Sequence, residues 1–403
     1  MKKQPETRDI VLLSTADWDN PFWTNKQHVA CELTRRGYRV LYVDSIGLRA
    51  PSATAQDLGR IWRRLKKGLQ APKAVRERLW VWSPLVIPLQ RFQLVRSFNK
   101  FLLAAGLRFW MWRLDIKPDV MWTYNPMTLE FFSNARFDCT VYHCVDEIKA
   151  QPGMPVAQIE AADTALVRAS DVVFVTAEYL LESRRVFNPN THYFSNVADF
   201  SHFAKARDNT TQVPADIAAL PGPVIGFVGA ISGYKVDFEL LKEMALKHPE
   251  WSIVLIGKVG EGDPHTDVSS LQALPNVHFI GPRAYGGLPA CLKGFDVAIL
   301  PCMLNEYTRS MFPMKFFEYL AAGLPVVSTA LHALMAHKDV AYIANDKDDF
   351  IAGVESALRG EAAPLAKRLD LALEQTYERR TERMLRLLPS PTAGSRRMTE
   401  SAA

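Results

Sequence analysis

The sequence predicts an α/β protein of two doubly wound domains, each a parallel β-sheet covered by helices, that face one another across a cleft. The first observation is the length of 403 residues, which suits two domains of ordinary size. The second is that short apolar segments alternate with amphipathic ones, as in repeated βαβ units. The third is that this alternation stops at a polar, proline-bearing stretch, residues 200–223, and then starts again.

The first 200 residues contain the pattern of one such domain. An apolar run begins at Asp9, and the helical pattern that follows it ends at Gly37, a residue suited to a helix C-cap. The predicted strands are 9–15, 38–45, 119–124, 139–145, 171–176 and 191–196, and the predicted helix is 25–36. Residues 201–223 are predicted to link this domain to the next.

The second domain is predicted over residues 224–363. Its predicted strands are 224–231, 252–257, 277–281, 296–302, 325–329 and 340–345, and its predicted helices are 237–249, 288–295, 313–323 and 348–360. A charged helix over 364–388 is expected to close the fold by returning to the first domain, and the polar tail 389–403 is expected to be disordered. Ligands of open α/β sheets bind beyond the carboxyl ends of the strands, so the cleft is the expected site.

Composition places the chain among soluble globular proteins. Apolar residues make up 48% and charged residues 23%, so large cores can form. The five cysteines contain no Cys-x-x-Cys pair and no metal-ligand spacing, and their odd number without an export signal indicates reduced thiols and a cytoplasmic location. The N-terminal apolar run is too short for an export signal. The longest uncharged run, 319–336, holds glycine and proline and favours a helix, a break and a strand over a membrane span.

Two common nucleotide-binding loops are missing from the sequence. No Gly-x-Gly-x-x-Gly follows the first strand, and the corresponding stretch of the second domain has only Gly229 and Gly233. No Gly-x-x-x-x-Gly-Lys-Ser/Thr loop is present either. A dinucleotide-dependent dehydrogenase and a P-loop enzyme are therefore disfavoured.

Residues 310–329, SMFPMKFFEYLAAGLPVVST, carry an informative pattern. Pro313 suits the first turn of a helix and Ser310 can cap it, which would present amide groups to a phosphate. Lys315 adds positive charge at this end. Glu318, about one helical turn further on, can accept hydrogen bonds from two ribose hydroxyls. The alternative is that Lys315 and Glu318 are solvated charges on a helix face.

This stretch resembles the donor-binding signature of retaining, family-four-like (group 1) glycosyltransferases of the GT-B fold. Lys235, in GAISGYKVDFELL after Gly229, matches a residue that contacts the donor diphosphate. Residues 276–301, which include Arg283, are similar to the base-binding region, and 376–388 to the helix that returns to the first domain. The resemblance implies two Rossmann-like domains, a nucleotide-sugar donor, retention of configuration and no resident cofactor.

Two departures from the group's pattern affect the sugar end of the donor site. Ser310 stands where the group has a first glutamate, and Ala230 stands where an arginine commonly follows the glycine. We infer that Asn305, Thr308 and Arg309, in the loop before the helix, take over part of the diphosphate or sugar contact. The alternative for Arg309 is an ordinary surface residue.

The acceptor side of the cleft needs a polar or acidic group from the first domain. Asp146, His143 and Glu147 lie at the end of a predicted strand, where site residues of such sheets are found. Asp146 is the first candidate for the base or hydrogen-bond partner of an acceptor hydroxyl, and His143 is the second unless it is a core histidine. The loop ADWDNPFWTNKQH and the adjoining helix add Asp17, Asp19, Asn25 and His28, and its tryptophans suit either a sugar or packing.

No metal is expected in the reaction. Positive side chains and a helix N-terminus can stabilise a departing diphosphate without one. The sequence has an Asp-x-Asp at Asp346 and Asp348, but it precedes a predicted helix, where acids are ordinary N-caps.

Positive charge is concentrated between residues 60 and 117, where fourteen basic residues accompany two acidic ones. An amphipathic helix at the start of this region is expected to bind an anionic membrane. Its predicted contact residues are Arg60, Trp62, Arg63, Arg64, Lys66 and Lys67. A second amphipathic run covers 94–114. A solvated basic face and a nucleic-acid site are the alternatives, and nucleic acid would leave the second-domain motifs unexplained.

These patterns together predict a hexosyltransferase on the inner face of the cell membrane. It would move a sugar from a nucleotide donor to a lipid-linked or polysaccharide acceptor, and the resemblance to the family implies cell-surface or exopolysaccharide synthesis as the setting. Two alternatives stay open: a nucleotide-sugar epimerase on the same fold, which needs no acceptor, and a non-catalytic membrane-associated scaffold.

Overall fold

The computed structural model describes residues 8–20, 23–46, 67–68, 70–87 and 92–390. Arg60, Trp62, Arg63, Arg64 and Lys66, predicted to contact a membrane, lie outside the described residues, as does 391–403 of the predicted tail. The described residues form two separate sheets with apolar clusters on their faces. The predicted α/β class with two doubly wound domains is confirmed.

In the described part of the chain, the first sheet has eight strands in the order β3-β4-β2-β1-β5-β6-β7-β8. They are β1 Asp9–Leu13, β2 Arg39–Val43, β3 Lys73–Arg76, β4 Leu79–Trp82, β5 Val120–Thr123, β6 Cys139–Cys144, β7 Val172–Val175 and β8 Thr191–Tyr193. Neighbouring strands are parallel except β3 and β4, which form an antiparallel hairpin at one edge. The strand order reverses between β1 and β5, so the carboxyl ends of these strands open onto the expected binding crevice.

The second sheet has six parallel strands among the described residues, in the order β11-β10-β9-β12-β13-β14. They are β9 Val224–Val228, β10 Ser252–Ile256, β11 Val277–Phe279, β12 Val297–Leu300, β13 Val326–Thr329 and β14 Tyr342–Ala344. Its order reverses between β9 and β12, so the loop after β9 lies at the crevice of this domain.

Helices cover both sheets and connect their strands. In the first domain they are α1 Asn25–Arg35, α2 Gln93–Arg113, α3 Thr128–Phe131, α4 Val156–Ala169 and α5 Glu178–Arg185. The segment between the sheets holds α6 Phe200–Phe203 and α7 Ala215–Ala218. The remaining helices are α8 Phe238–Lys247, α9 Ser269–Gln272, α10 Leu288–Lys293, α11 Glu306–Arg309, α12 Lys315–Ala322, α13 Lys347–Leu358, α14 Leu365–Glu374 and α15 Tyr377–Leu385.

The apolar strand sequences follow from burial on both sheet faces. In β1, Ile10 and Leu12 join one apolar cluster, while Val11 and Leu13 join another on the opposite face. A strand covered on both faces needs apolar residues at every position, which is why these strands read as unbroken apolar runs.

The edge hairpin was not predicted. Its strands β3 and β4 are joined through Arg78, which has a positive φ of 62°. The sequence there, KAVRERLWVW, has no Asn-Gly or Asp-Gly turn signal. Because an arginine adopts the left-handed conformation in this turn, the local sequence contains no residue pair that predicts a hairpin.

Two chain segments join the domains. The predicted linker contains α6 and α7, and its Phe203, Ala206 and Ile217 are buried in the core of the second domain. The closing segment is two helices, α14 and α15, rather than one, because Thr376 starts a new helix by accepting a hydrogen bond from the Arg379 amide (3.3 Å). Helix α15 packs on α1 of the first domain.

Candidate active site

Helix α12 carries the predicted donor-binding charges. It begins at Lys315, and Gly323, with φ of 90°, ends it in the left-handed conformation that suits glycine. The predicted cap by Ser310 is wrong. Ser310 is buried, follows α11, and its hydroxyl donates back to the Glu306 carbonyl (3.2 Å).

Lys315 and Glu318 form an ion pair in the first turn of α12. The Lys315 Nζ lies 2.5 Å from Glu318 Oε2, and the Glu318 side chain is 3% exposed. Burial raises the pKa of Glu318, and the Lys315 ammonium partly offsets this rise. Glu318 is therefore not a solvated surface charge. Among the described residues no group donates a hydrogen bond to its other oxygen, Oε1, which leaves that atom able to accept one from a hydroxyl.

A buried tyrosine fixes α12 against the second sheet. The Val228 amide, at the end of β9, donates to Tyr319 Oη (2.8 Å). The loop that follows β9 carries Gly229 and Lys235, so this bond holds the two predicted donor-binding segments together. Gly257 lies very close to the Gly229 carbonyl. A Cβ built at Gly257, where φ is 156°, would lie 1.7 Å from the Gly229 oxygen.

Lys235 lies between two tyrosines. Its Nζ is 5.2 Å from the ring centroids of Tyr234 and Tyr307, a geometry that stabilises a cation. Asn305 Nδ2 donates to the Tyr234 carbonyl (2.8 Å), which ties the Lys235 loop to the loop before α11. The ammonium is thus flanked by two aromatic rings.

The residues before α12 have separate roles. Asn305 and Thr308 cap α11 reciprocally, each amide donating to the other's side chain at 3.0 Å, and Thr308 is buried. The Arg309 guanidinium lies 5.0 Å from the ring of Tyr179 on α5, so it reaches across the cleft to the first domain. Arg283 forms an ion pair with Asp216 on α7, which points it toward the segment between the sheets.

Asp146 faces the second domain from the end of β6. Burial raises its pKa, and the ammonium groups of Lys26 and Lys235 lower it. The two predicted residues, Asp146 and Lys235, are therefore electrostatic neighbours although they belong to different domains. Within the described chain no ion pair joins Asp146 to either lysine, so its carboxylate keeps its capacity for a ligand.

Lys26 was missed by sequence reasoning. It lies in the first turn of α1, is 8% exposed, and its Nζ is 5.6 Å from the Tyr124 ring centroid. Burial lowers its pKa, and Asp146 opposes that shift. The only sequence signal was its place in the first helix beyond β1, where site residues of doubly wound sheets lie.

The other two acceptor-side candidates are enclosed by protein. His143 is fully buried among aromatic rings, 4.7 Å from the Tyr124 ring centroid, and burial lowers its pKa well below the usual range. Glu147 is buried and accepts two hydrogen bonds from Arg184, at 2.6 and 2.8 Å. The structure brings neither side chain to the cleft. His143 is part of the apolar core, and the charge of Glu147 is neutralised by Arg184.

The N-terminal loop packs rather than opening a sugar platform. Trp18 and Trp23 contact one another, with ring centroids 5.5 Å apart. Asp19 pairs with Lys67, the one predicted membrane contact among the described residues. His28 stacks on Tyr377 at 4.2 Å, and burial lowers its pKa to about 3.

Asp17 and Asn25, the other two polar candidates of this region, also make contacts within the protein. The Asp17 carbonyl accepts from Gln27 Nε2 (3.1 Å), which holds the loop on α1. Asn25 donates to Asn196 (2.6 Å), in the connection that follows β8.

A cavity of about 410 Å³ opens where the two domains and the closing segment meet. Its lining includes Trp23, His28, Asp199, Tyr285 and Tyr377. Tyr285 comes from the segment predicted to bind the base, and its ring lies 6.0 Å from Trp23 in a stacked arrangement. The cavity therefore has aromatic walls contributed by both domains.

Comparison with known proteins agrees with this geometry. A family model described as "Glycosyl transferases group 1" matches residues 222–359. The matched residues are those of the second domain, which is therefore similar to the corresponding domain of group 1 glycosyltransferases. Over 209 residues the chain is 29% identical to TuaH of Bacillus subtilis (strain 168), named as a glycosyltransferase of teichuronic acid biosynthesis. That alignment spans about half of each protein, 50% of this chain and 51% of TuaH.

Solved structures extend the likeness to the whole fold. Sucrose-phosphate synthase from Thermosynechococcus elongatus matches 94% of this chain and 98% of its own, with a TM-score of 0.65 and 15% identity. HepE from Anabaena, in complex with UDP-glucose, matches 94% and 99% with a TM-score of 0.62 and 14% identity. At this identity the likeness shows the fold, which is GT-B.

The Asp-x-Asp of the second domain lies at the start of a helix. Asp346 caps α13 by accepting from the Asp349 amide (2.8 Å), as predicted, and Asp348 is exposed near Lys247. Among the described residues, no group of three or more His, Cys, Asp or Glu side chains has the geometry of a metal site. All five cysteines lie in the described part of the chain, and none of them forms a disulfide bond there.

Proposed function

We propose that the protein transfers a sugar from a nucleoside-diphosphate sugar to an acceptor held by the first domain. The observation that supports this most directly is that Lys26 of the first domain and Lys235 of the second both lower the pKa of Asp146, while no ion pair joins Asp146 to either lysine among the described residues. A carboxylate and two ammonium groups so placed suit a reaction in which one substrate carries phosphate and the other a hydroxyl.

The donor would lie along the second domain. Glu318 Oε1 would accept hydrogen bonds from the ribose, and Lys235 would contact the diphosphate. Uridine is the proposed base, since HepE is described in complex with UDP-glucose and an E. coli trehalose-6-phosphate structure with UDP-2-fluoro-glucose. The aromatic cavity near Tyr285 is suited to a base.

The chemistry would be metal-independent and would retain the anomeric configuration. Lys235 would stabilise the negative charge that develops on the departing nucleoside diphosphate. Asp146 would accept the hydrogen bond, and finally the proton, of the acceptor hydroxyl. Sugar transfer in this scheme needs no group beyond the two substrates and the side chains of the cleft.

The acceptor would be lipid-linked or a growing polysaccharide at an anionic membrane. Helix α2 exposes apolar side chains on one face: Leu94 is 85% exposed, Phe101 67% and Trp112 75%. The same helix carries the basic residues Arg96, Lys100, Arg108 and Arg113, a composition that suits an anionic bilayer surface. Among the described residues, no helix is long and apolar enough to cross a membrane.

Ligand-induced stabilisation tests the donor assignment. UDP at about a hundred times its dissociation constant should add about 2.7 kcal/mol to stability, while NAD should add nothing. Lys235→Ala should lose most of this effect, and Lys242→Ala, on the outer helix α8, should keep it. Wild-type protein that binds no nucleotide with or without anionic vesicles would overturn the proposal in favour of a scaffold. Interconversion of free UDP-sugars without acceptor would favour an epimerase.

Vesicle flotation tests the membrane assignment. Wild-type protein should float with vesicles containing phosphatidylglycerol and not with pure phosphatidylcholine. Phe101→Glu should reduce flotation strongly, because a charge would enter the apolar face. Leu246→Glu, at an equally exposed apolar residue of the second domain, is the matched control. Equal flotation of both variants would reject α2 as the docking surface.

A further inference from the structure

A chain of three buried polar side chains joins the closing helix, the first helix and the donor helix. Arg380 Nη2 donates to Asn25 Oδ1 (2.7 Å), Asn25 Nδ2 donates to Asn196 Oδ1 (2.6 Å), and Asn196 Nδ2 donates to the Phe312 carbonyl (2.6 Å). All three side chains are buried. We call this chain the amide relay.

The relay connects segments that are far apart in sequence and belong to both domains. Asn25 is the first residue of α1, next to Lys26, and Arg380 lies in α15. Asn196 lies in the connection that leaves the first domain. Phe312 lies three residues before Lys315, at the entrance to α12. The relay thus runs from the Lys26 side of the cleft to the Glu318 side.

The direction of the relay is fixed by its two ends. Arginine can only donate hydrogen bonds, and a backbone carbonyl can only accept them. Each asparagine between them must therefore present its oxygen toward Arg380 and its NH2 toward Phe312. A carboxylate has no hydrogen to donate, so aspartate at either position interrupts the relay although its shape is the same.

The relay also holds a buried charge. Arg380 is 1% exposed, and no carboxylate among the described residues pairs with it. Its remaining contacts are the Ser195 carbonyl (3.1 Å) and the ring of Tyr377, 5.0 Å away. Burial lowers its pKa. A guanidinium held only by neutral acceptors depends on each of them, because a lost hydrogen bond leaves a buried charge unsatisfied.

We propose that Asn25 and Asn196 are positioning residues that hold the start of the donor helix in register with the first helix. They touch neither proposed substrate. Their effect would be to place Lys315 and Glu318 at a set distance from Lys26 and Asp146, so that bound donor faces the acceptor group. As a statement about catalysis this rests on the proposed function, but the coupling itself does not.

Hydrogen exchange tests the coupling without any substrate. In Asn196→Asp, a carboxylate faces the Phe312 carbonyl, so the amides of Phe312 and of residues 314–318 should exchange at least about fivefold faster than in wild type. Asn25→Asp should do the same through loss of its donated bond, while it keeps and strengthens the bond from Arg380. Asn25→Asp therefore tests the same coupling if Asn196→Asp fails to fold.

Asn190→Asp is the matched control, since exposed Asn190 donates within the first domain, to the Asp171 carbonyl (2.5 Å). Wild-type exchange over 312–318 in both relay variants would overturn the proposal.

Kinetics then distinguishes positioning from general loosening. Both relay variants should lower kcat about tenfold or more while the Kd for UDP stays within about threefold of wild type, because Lys235 and Glu318, the proposed diphosphate and ribose contacts, both belong to the second domain. Equal loss in UDP affinity and in kcat would contradict a positioning role. Failure of the proposed function would appear differently, as a wild-type protein without transfer activity whose exchange pattern still responds to Asn25→Asp.

Discussion

Asp146 and Glu147 are adjacent acids at the end of β6, yet their surroundings differ completely. Glu147 turns into the first domain, where it forms a bidentate pair with Arg184, and Asp163 lies 3.1 Å from Arg184 Nε. Asp146 turns toward the second domain and faces two ammonium groups with no ion pair formed among the described residues. Two carboxylates one residue apart thus divide into a structural group and a group with unused binding capacity.

The largest expected effect is on catalysis at Asp146. Asp146→Asn should lower kcat by about 10²–10⁴, since the acceptor hydroxyl loses its base. Stability should change by no more than about 0.5 kcal/mol, because no tight ion pair is broken. Steady-state transfer assays and urea unfolding on the same preparation provide both numbers. Full activity in Asp146→Asn would remove this residue from the mechanism.

Replacing Arg184 is expected to lower the stability of the protein and not to change its catalytic step. Arg184→Met should cost about 3–5 kcal/mol in the free energy of unfolding, because Glu147 and Asp163 would be left buried without a cation. The neighbouring Arg185→Met, on the exposed side of α5, should cost about 0.5 kcal/mol or less. Urea titration measures both. A loss below about 1 kcal/mol at Arg184 would mean that the pair contributes little and that the contrast with Asp146 is weaker than the geometry suggests.

Glu318 should show an intermediate effect on ligand binding. Glu318→Gln should weaken UDP binding by about 1.5–3 kcal/mol, the usual contribution of hydrogen bonds to a charged group. Calorimetric titration with UDP measures this, with Glu306→Gln on the short helix α11 as the control. Unchanged UDP affinity in Glu318→Gln would show that the nucleotide lies elsewhere in the cleft.

Asp44, a third carboxylate of the first domain, should affect the pH dependence of stability. Burial raises its pKa to about 6, although Ser83 and the Trp18 amide donate hydrogen bonds to it. The folded protein therefore binds this proton more tightly than the unfolded chain does. Raising the pH from 4 to 6 should cost stability, on the order of 2–3 kcal/mol for this group. Unfolding of Asp44→Asn across that range should show a correspondingly smaller fall, and parallel profiles would contradict the assignment.

Local sequence patterns predicted the strands, helix ends and site residues that depend on neighbouring residues in the chain. Strands buried on both faces have unbroken apolar runs, so β1, β5, β6 and β9 could be located. Helix α12 could be placed from the sequence because Gly323 and Pro325 mark its C-terminal end. Asp146 could be proposed as a site residue because it follows a strand at the cleft edge, and Lys235 because its segment resembles the diphosphate-binding segment of group 1 glycosyltransferases.

The remaining features depend on partners distant in the chain. Glu147 looked as available as Asp146 until the fold brought Arg184 to it. Ser310 looked like a cap until the preceding residues formed α11. Lys26 and the amide relay carry no local signal, since a lysine or asparagine at a helix start is ordinary. The edge hairpin also has no local sequence signal, because an ordinary residue, Arg78, occupies its left-handed turn.

The return of α15 to the first domain has a consequence for anyone who wishes to exchange modules between such enzymes. Met384 is buried in the apolar cluster that contains Ile10 and Leu12, so the last helix is part of the first domain's core. The main chain crosses between domains at two neighbouring points, where the Ala198 amide donates to the Gln375 carbonyl (3.1 Å). A chimera with a new donor half must therefore be spliced at both crossings, because a single cut near residue 200 would give the N-terminal half a foreign closing helix.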